Sequence, residues 1–131
     1  MRSILTALFV LLVPAAASGR AEEDKVFGPV EARKEIGNKI TVEMKVQSAK
    51  DRLEKHKEIY LDAEENFKDP KNFAVVITKA GAAKFREAGI GSPADHFRGK
   101  VIRAKGSVKE VQKVPRIEID DPAQLHIVDK K

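Results

Sequence analysis

From Ile40 the chain alternates with a period of two: Ile40, Val42, Met44 and Val46 are apolar, and Thr41, Glu43, Lys45 and Gln47 are polar. A strand sends successive side chains to opposite faces, so this segment predicts a half-buried first strand. Ile59 and Leu61 flank Tyr60 in a short second strand. Phe73 to Ile77 is apolar at nearly every position, which predicts a third strand covered on both faces for part of its length. In the fourth, Ile102, Ala104, Gly106 and Val108 point inward, and Arg103, Lys105, Ser107 and Lys109 point outward. Ile117 and Ile119 alternate with Arg116 and Glu118 in a fifth strand, and Leu125 and Ile127 pack a last extended piece.

Helical signals fall between these runs. Pro29 opens a short helix over Val30 to Ile36 that Gly37 stops. Lys79 to Ala88 places Ala82, Phe85 and Ala88 on one face, with Gly89 at its C-terminal end. Ser92-Pro93 reads as an N-cap and first-turn proline opening a single turn that ends near Gly99. Ala49 to Lys57 is charged throughout and reads as a loop. Glu64 to Asn72, with Asp69-Pro70, reads as a turn region, and Asp120-Asp121-Pro122 as a turn.

Three strands, a helix and two strands make an all-β fold with one or two short helices. The order is that of a five-stranded OB-type β-barrel with its helix between strands three and four. A glycine on the inward face of the fourth strand fits a close-packed barrel corner. Ile40, Val42, Val46, Ile59, Leu61, Val75, Ile77, Ile102, Val108, Ile117 and Ile119 should then share one core, with Phe85 capping it. A swollen β-meander and an SH3-like barrel are alternatives, and the inserted helix weighs against the second.

Three segments carry a resemblance. Ala32 to Glu43 resembles the lead-in and first strand of small bacterial OB-fold proteins. His96 to Gly106, with its aromatic-x-Gly-Lys step Phe97-Arg98-Gly99-Lys100, is similar to their fourth strand. Pro115 to Leu125 resembles their fifth strand and closing Asp-Pro-x-Gln turn. The family implied is the nucleic-acid-binding OB superfamily of the tRNA-anticodon and helicase type, in a secreted, stand-alone version. Met44 stands where such strands often carry glycine, so the barrel corner should curve differently. The superfamily hosts many unrelated functions, and the fold alone does not select one.

The first residues add a destination. Arg2 supplies a positive start, and Ile4 to Val13 is an apolar run of ten residues interrupted only by Thr6. Pro14 breaks it, and Ala15 to Gly19 offers small residues at signal-peptidase spacing. The run is too short to span a bilayer, which takes about 20 apolar residues. A buried helix or retained anchor is the alternative reading. The expected organisation is a signal peptide over 1–21, cut between Ala17 and Ala21, a flexible leader over 22–29 and an OB domain over 30–131. The mature protein should be secreted or periplasmic. With no cysteine in the chain, disulfides and lipid attachment are excluded and packing alone must hold the domain. Removing residues 1–21 takes away Arg2 and Arg20 and leaves 23 basic against 20 acidic residues. That small excess permits an anionic partner without arguing for one.

Candidate chemistry is sparse. No serine sits in a nucleophile elbow, and no Arg, Asp and Glu cluster in nuclease order, so no catalytic residue is expected. His56, His96 and His126 lack zinc spacing, and Glu118, Asp120, Asp121 and Asp62, Glu64, Glu65 lack that of a calcium loop. No metal or cofactor is expected. OB domains bind oligomers across strands two and three, framed by the loops between strands one and two and between four and five. Lys50, Arg52, Lys55 and Lys57 make the first loop basic; Lys109, Lys113 and Arg116 do the same for the second. Such loops suit a phosphate or sulfate backbone, though lysine-rich loops also serve solubility alone. The candidate ligand-binding set is Lys50, Arg52, Lys55, Lys113 and Arg116, with Tyr60 as the one obvious stacking aromatic. Asp62, Glu64, Glu65 and Asp69 outnumber Lys68 and Lys71 on the face between, which opposes phosphate. The partners left open are single-stranded nucleic acid, an anionic polysaccharide, or a cell-envelope protein held at a strand edge or at that face.

Overall fold

The computed structural model describes residues 25–128. The expected signal peptide and the first leader residues lie outside the described residues. Eight strands and four short helices follow in order: β1 (Val26–Phe27), α1 (Pro29–Ala32), β2 (Lys39–Lys45), β3 (Ser48–Arg52), α2 (Leu53–His56), β4 (Glu58–Asp62), β5 (Ala74–Thr78), α3 (Lys79–Glu87), α4 (Pro93–Phe97), β6 (Val101–Val111), β7 (Val114–Ile119), a 3₁₀ turn (Pro122–Gln124) and β8 (Leu125–Ile127).

The hydrogen-bonded path runs β1-β2-β6-β7-β5-β4-β3, with β8 on the far side of β6. The fold is mostly β with few short helices, and the expected count of five strands is corrected to eight in a sheet whose ladder does not close. β2 and β3 are separated only by Val46 and Gln47 yet sit near opposite ends of that path. All eleven positions expected inside are buried in one cluster, with Phe85 among them. Phe85 meets Phe97 edge to face at 5.6 Å, so α3 and α4 together seat aromatic mass against the sheet.

Two expectations near the ends of the ladder change. Ala49 to Lys57 is not a loop: β3 pairs antiparallel with β4, Lys50 opposite Tyr60, and α2 makes the connection. Only Ala49 of β3 is buried, so this strand shows almost no apolar alternation. Val26 and Phe27, within the expected leader, pair in parallel with Thr41 and Val42. Met44, the expected departure, is 3% exposed and belongs to the core.

Side chains settle several turns. Thr78 accepts from the Gly81 amide as the N-cap of α3. Ser92 makes no backbone cap; its hydroxyl donates to Asp95 instead. Asp121 caps the 3₁₀ turn by accepting from the Ala123 amide, which holds its carboxyl below the usual range. Gln124 accepts from the Asp120 and Asp121 amides and donates to the carbonyls of Lys105 and Glu118. The Asp-Pro-x-Gln segment is therefore a clamp fastening the end of β7 to β6. Gly106 is required beneath it, because a Cβ there would lie 2.8 Å from Ile117 Cγ2.

Candidate functional site

β3, β4, β5 and β7 send their inward side chains to the core and leave an outward face. Along β4, Ile59 and Leu61 are fully buried, and Glu58, Tyr60 and Asp62 face the other way. This face forms a groove of about 560 Å³. Ala74 and Val76 form its floor, the β6–β7 hairpin contributes Val111, Gln112 and Val114, and Phe67 lines it from the loop between β4 and β5.

The six sequence candidates divide. Lys50, Arg52, Tyr60 and Arg116 line the groove; Lys55 and Lys113 do not. Lys50 and Arg52 stand on the strand β3, and Lys55 is exposed on α2. Lys113 sits with Gln112 in a two-residue turn where both residues are left-handed, φ 70° and 51°. That geometry joins antiparallel strands tightly, so the expected second basic loop is a hairpin turn. Arg116 is on β7 and only 8% exposed. Its Nη1 donates to Glu58 Oε2 at 3.0 Å and to Glu118 Oε2 at 3.3 Å.

Tyr60 joins the same group, its hydroxyl donating to Glu58 Oε1 at 2.7 Å. Burial, that hydrogen bond and the nearby carboxylate push the phenol up to about 12, so it remains a donor at ordinary pH. Glu58 is thus met by a guanidinium and a phenol in the middle of the groove. Asp62 is 3% exposed and accepts from Asn72 Nδ2 at 3.0 Å. Burial raises its pKa, while the Asn72 bond and Lys50 act in the opposite direction.

These contacts correct the acidic balance read from the sequence. Of Asp62, Glu64, Glu65 and Asp69, only Asp62 lines the groove, and its carboxyl is buried. The acids inside the groove have partners, whereas Arg52 is exposed on its rim. Sequence reasoning missed His56, Glu58, Val76 and Phe67 in this lining. Phe67 is 46% exposed and has Lys50 Nζ at 5.2 Å and Lys68 Nζ at 5.8 Å from its ring centroid. A lone aromatic within a polar turn was the available signal. Among the described residues no three His, Asp or Glu side chains are grouped to hold a metal ion.

No family model matches the sequence, and no curated protein matches it. Solved structures do match in shape. The chain is similar to an aspartyl-tRNA synthetase from Entamoeba histolytica, with a TM-score of 0.55 and 13% identity over 82% of this chain and 22% of that one. It is also similar to a putative aspartyl-tRNA synthetase from Leishmania major Friedlin, with a TM-score of 0.52 and 9% identity over 82% of this chain and 21% of that one. The chain therefore spans about a fifth of the length of these enzymes. At such identities the likeness is one of fold, and that fold is the OB type expected from the strand order.

Proposed function

We propose that this chain is an exported, non-catalytic OB-type module that binds an anionic polymer along the β3–β4–β5–β7 groove, with single-stranded nucleic acid as its leading ligand. Export rests on the apolar run and small-residue segment at the start of the sequence. The polymer reading rests on one observation above the others: the groove's acids are tied to Arg116, Tyr60 and Asn72, while Lys50 and Arg52 line its β3 side. A phosphate backbone along β3 would meet cations without facing uncompensated carboxylates. The OB likeness supports this placement, because such domains bind oligomers on the corresponding face.

The test is a titration of the mature chain with labelled single-stranded DNA, RNA and heparin at about 50 mM salt, repeated at about 200 mM. Binding should be weak, about 10⁻⁴ to 10⁻⁶ M as for other sequence-independent contacts, and should fall with salt. Changing Lys50 and Arg52 together to Ala should flatten the salt slope by about one unit per lost contact. Absence of binding to all three polymers at the lower salt would overturn the reading and leave a cell-envelope protein as the partner class.

A further inference from the structure

Phe67 differs from the other described phenylalanines. Phe73, Phe85 and Phe97 are at most 2% exposed, and Phe27 packs against the core; Phe67 shows 46% of its surface. The loop that carries this ring is tied down. Asn72, itself 1% exposed, accepts from the Glu64 amide and donates to the Phe67 carbonyl at 3.3 Å and to buried Asp62. The Asn72 carbonyl in turn accepts from Arg33 Nη1 at 2.6 Å, tying the loop to the segment after α1. Within the loop, Asn66 accepts from the Lys68 amide and Asp69 from the Lys71 amide. These hydrogen bonds fix the backbone of the loop that places the ring at the groove.

We propose that Phe67 is a base-stacking platform, and that through it the groove selects polymers with unpaired bases over base-free polyanions. The inference rests on the polymer-binding reading above and narrows its ligand to single-stranded nucleic acid. Aromatic faces stack any base, so the selection is for nucleic acid and not for sequence. Lys50 and Lys68 lie against the ring through cation–π contacts, which at an exposed site are weak enough to exchange for a stacked base. Their ammonium groups then lie within reach of the flanking phosphates. Because the loop is already ordered, less conformational freedom is lost on binding. Asn72 is the positioning residue of this arrangement; it holds the loop and does not touch the ligand.

The chain contains no tryptophan, so Phe67→Trp introduces a single reporter at the ring's position. The experiment titrates wild type, Phe67→Ala and Phe67→Trp with an oligothymidylate and, separately, with inorganic polyphosphate. The exposed position makes both variants compatible with folding. Phe67→Ala should weaken oligothymidylate binding by about 5- to 150-fold while polyphosphate binding changes by less than about twofold. Phe67→Trp should retain binding, and its fluorescence should be quenched by the oligonucleotide and not by polyphosphate. Equal loss of both ligands in Phe67→Ala, or no loss of either, would overturn the stacking role and leave the polymer groove standing. Failure of wild type to bind either ligand would overturn the groove reading itself and the platform with it.

Discussion

Two faces of the molecule set a lysine against a phenylalanine. In the β3–β4–β5–β7 groove, Lys50 lies 5.2 Å from Phe67; on the β1–β2–β6 side, Lys25 lies 5.2 Å from Phe27. The second face is a hollow of about 490 Å³ with Lys25, Lys39 and Lys105 around it, so by cation count it looks equally suited to a polyanion. The difference lies in everything beneath the lysines. Phe27 is partly buried against the core, the hollow's own side-chain pair is the exposed bond from Asn38 to Glu35, and the Arg103–Glu43 pair of β6 and β2 does not line it. The first face has a buried apolar floor, a guanidinium and phenol fixed on one carboxylate, and a tied loop presenting an open ring. Surface lysines define a charge; the fixed groups between them define a site.

The largest effect should come from Arg116, which is 8% exposed, whereas the guanidinium on the second side, Arg103, meets Glu43 at 2.8 Å with its side chain 42% exposed. Truncating Arg116 takes the cation from part-buried Glu58, whereas Glu118 keeps Lys109 at 3.3 Å. Arg116→Ala should lower stability by roughly 2 kcal/mol, since hydrogen bonds to charged groups are the stronger ones and part-buried Glu58 keeps only the Tyr60 hydroxyl. Lys105→Ala, exposed on the second face, should change stability by less than about 0.5 kcal/mol. Denaturant midpoints of the two variants check this, and equal midpoints would erase the distinction between the faces.

Asp62 should give a smaller, pH-dependent effect. Its folded pKa lies above the ordinary 3.8, chiefly through burial, so the protonated carboxyl favours the fold. That contribution is full below about 3.8 and is lost as pH rises through the raised value. Asp62→Asn keeps an acceptor for Asn72 and removes the buried charge. The variant should gain on wild type at neutral pH, and the gain should vanish in acid. Stability measured across that range checks the sign.

The smallest change belongs to the β6–β7 turn. Both central residues are left-handed there, which side-chain-bearing residues resist. Lys113→Gly should stabilise the hairpin by about 1 kcal/mol. Because Lys113 stands outside the groove lining, the same variant should leave polymer affinity nearly unchanged. A marked loss of affinity would return Lys113 to the site.

The core was legible because burial on one face writes alternation into the chain: Ile40 to Val46, Ile102 to Val108, and Ile117 with Ile119 all stand where the pattern puts them. β3 was not legible for the converse reason. Lys50 and Arg52 face outward, Asp51 is exposed, and Ala49 is its single buried residue, so a paired strand looked like a charged loop. The site was half legible. Its cations and Tyr60 carry their chemistry in the residue type, but the neutralisation of Glu58 by Arg116 joins positions 58 residues apart. Only the pairing of β5 with both β4 and β7 brings them together.

A map of backbone amide shifts on adding an oligothymidylate to the protein at low salt locates the ligand on one face or the other. Changes should concentrate on β3, β4, β7 and the loop around Phe67, with Thr41, Lys39 and Lys105 unmoved. Changes centred on the β1–β2–β6 face, or spread evenly over every exposed lysine, would contradict this placement.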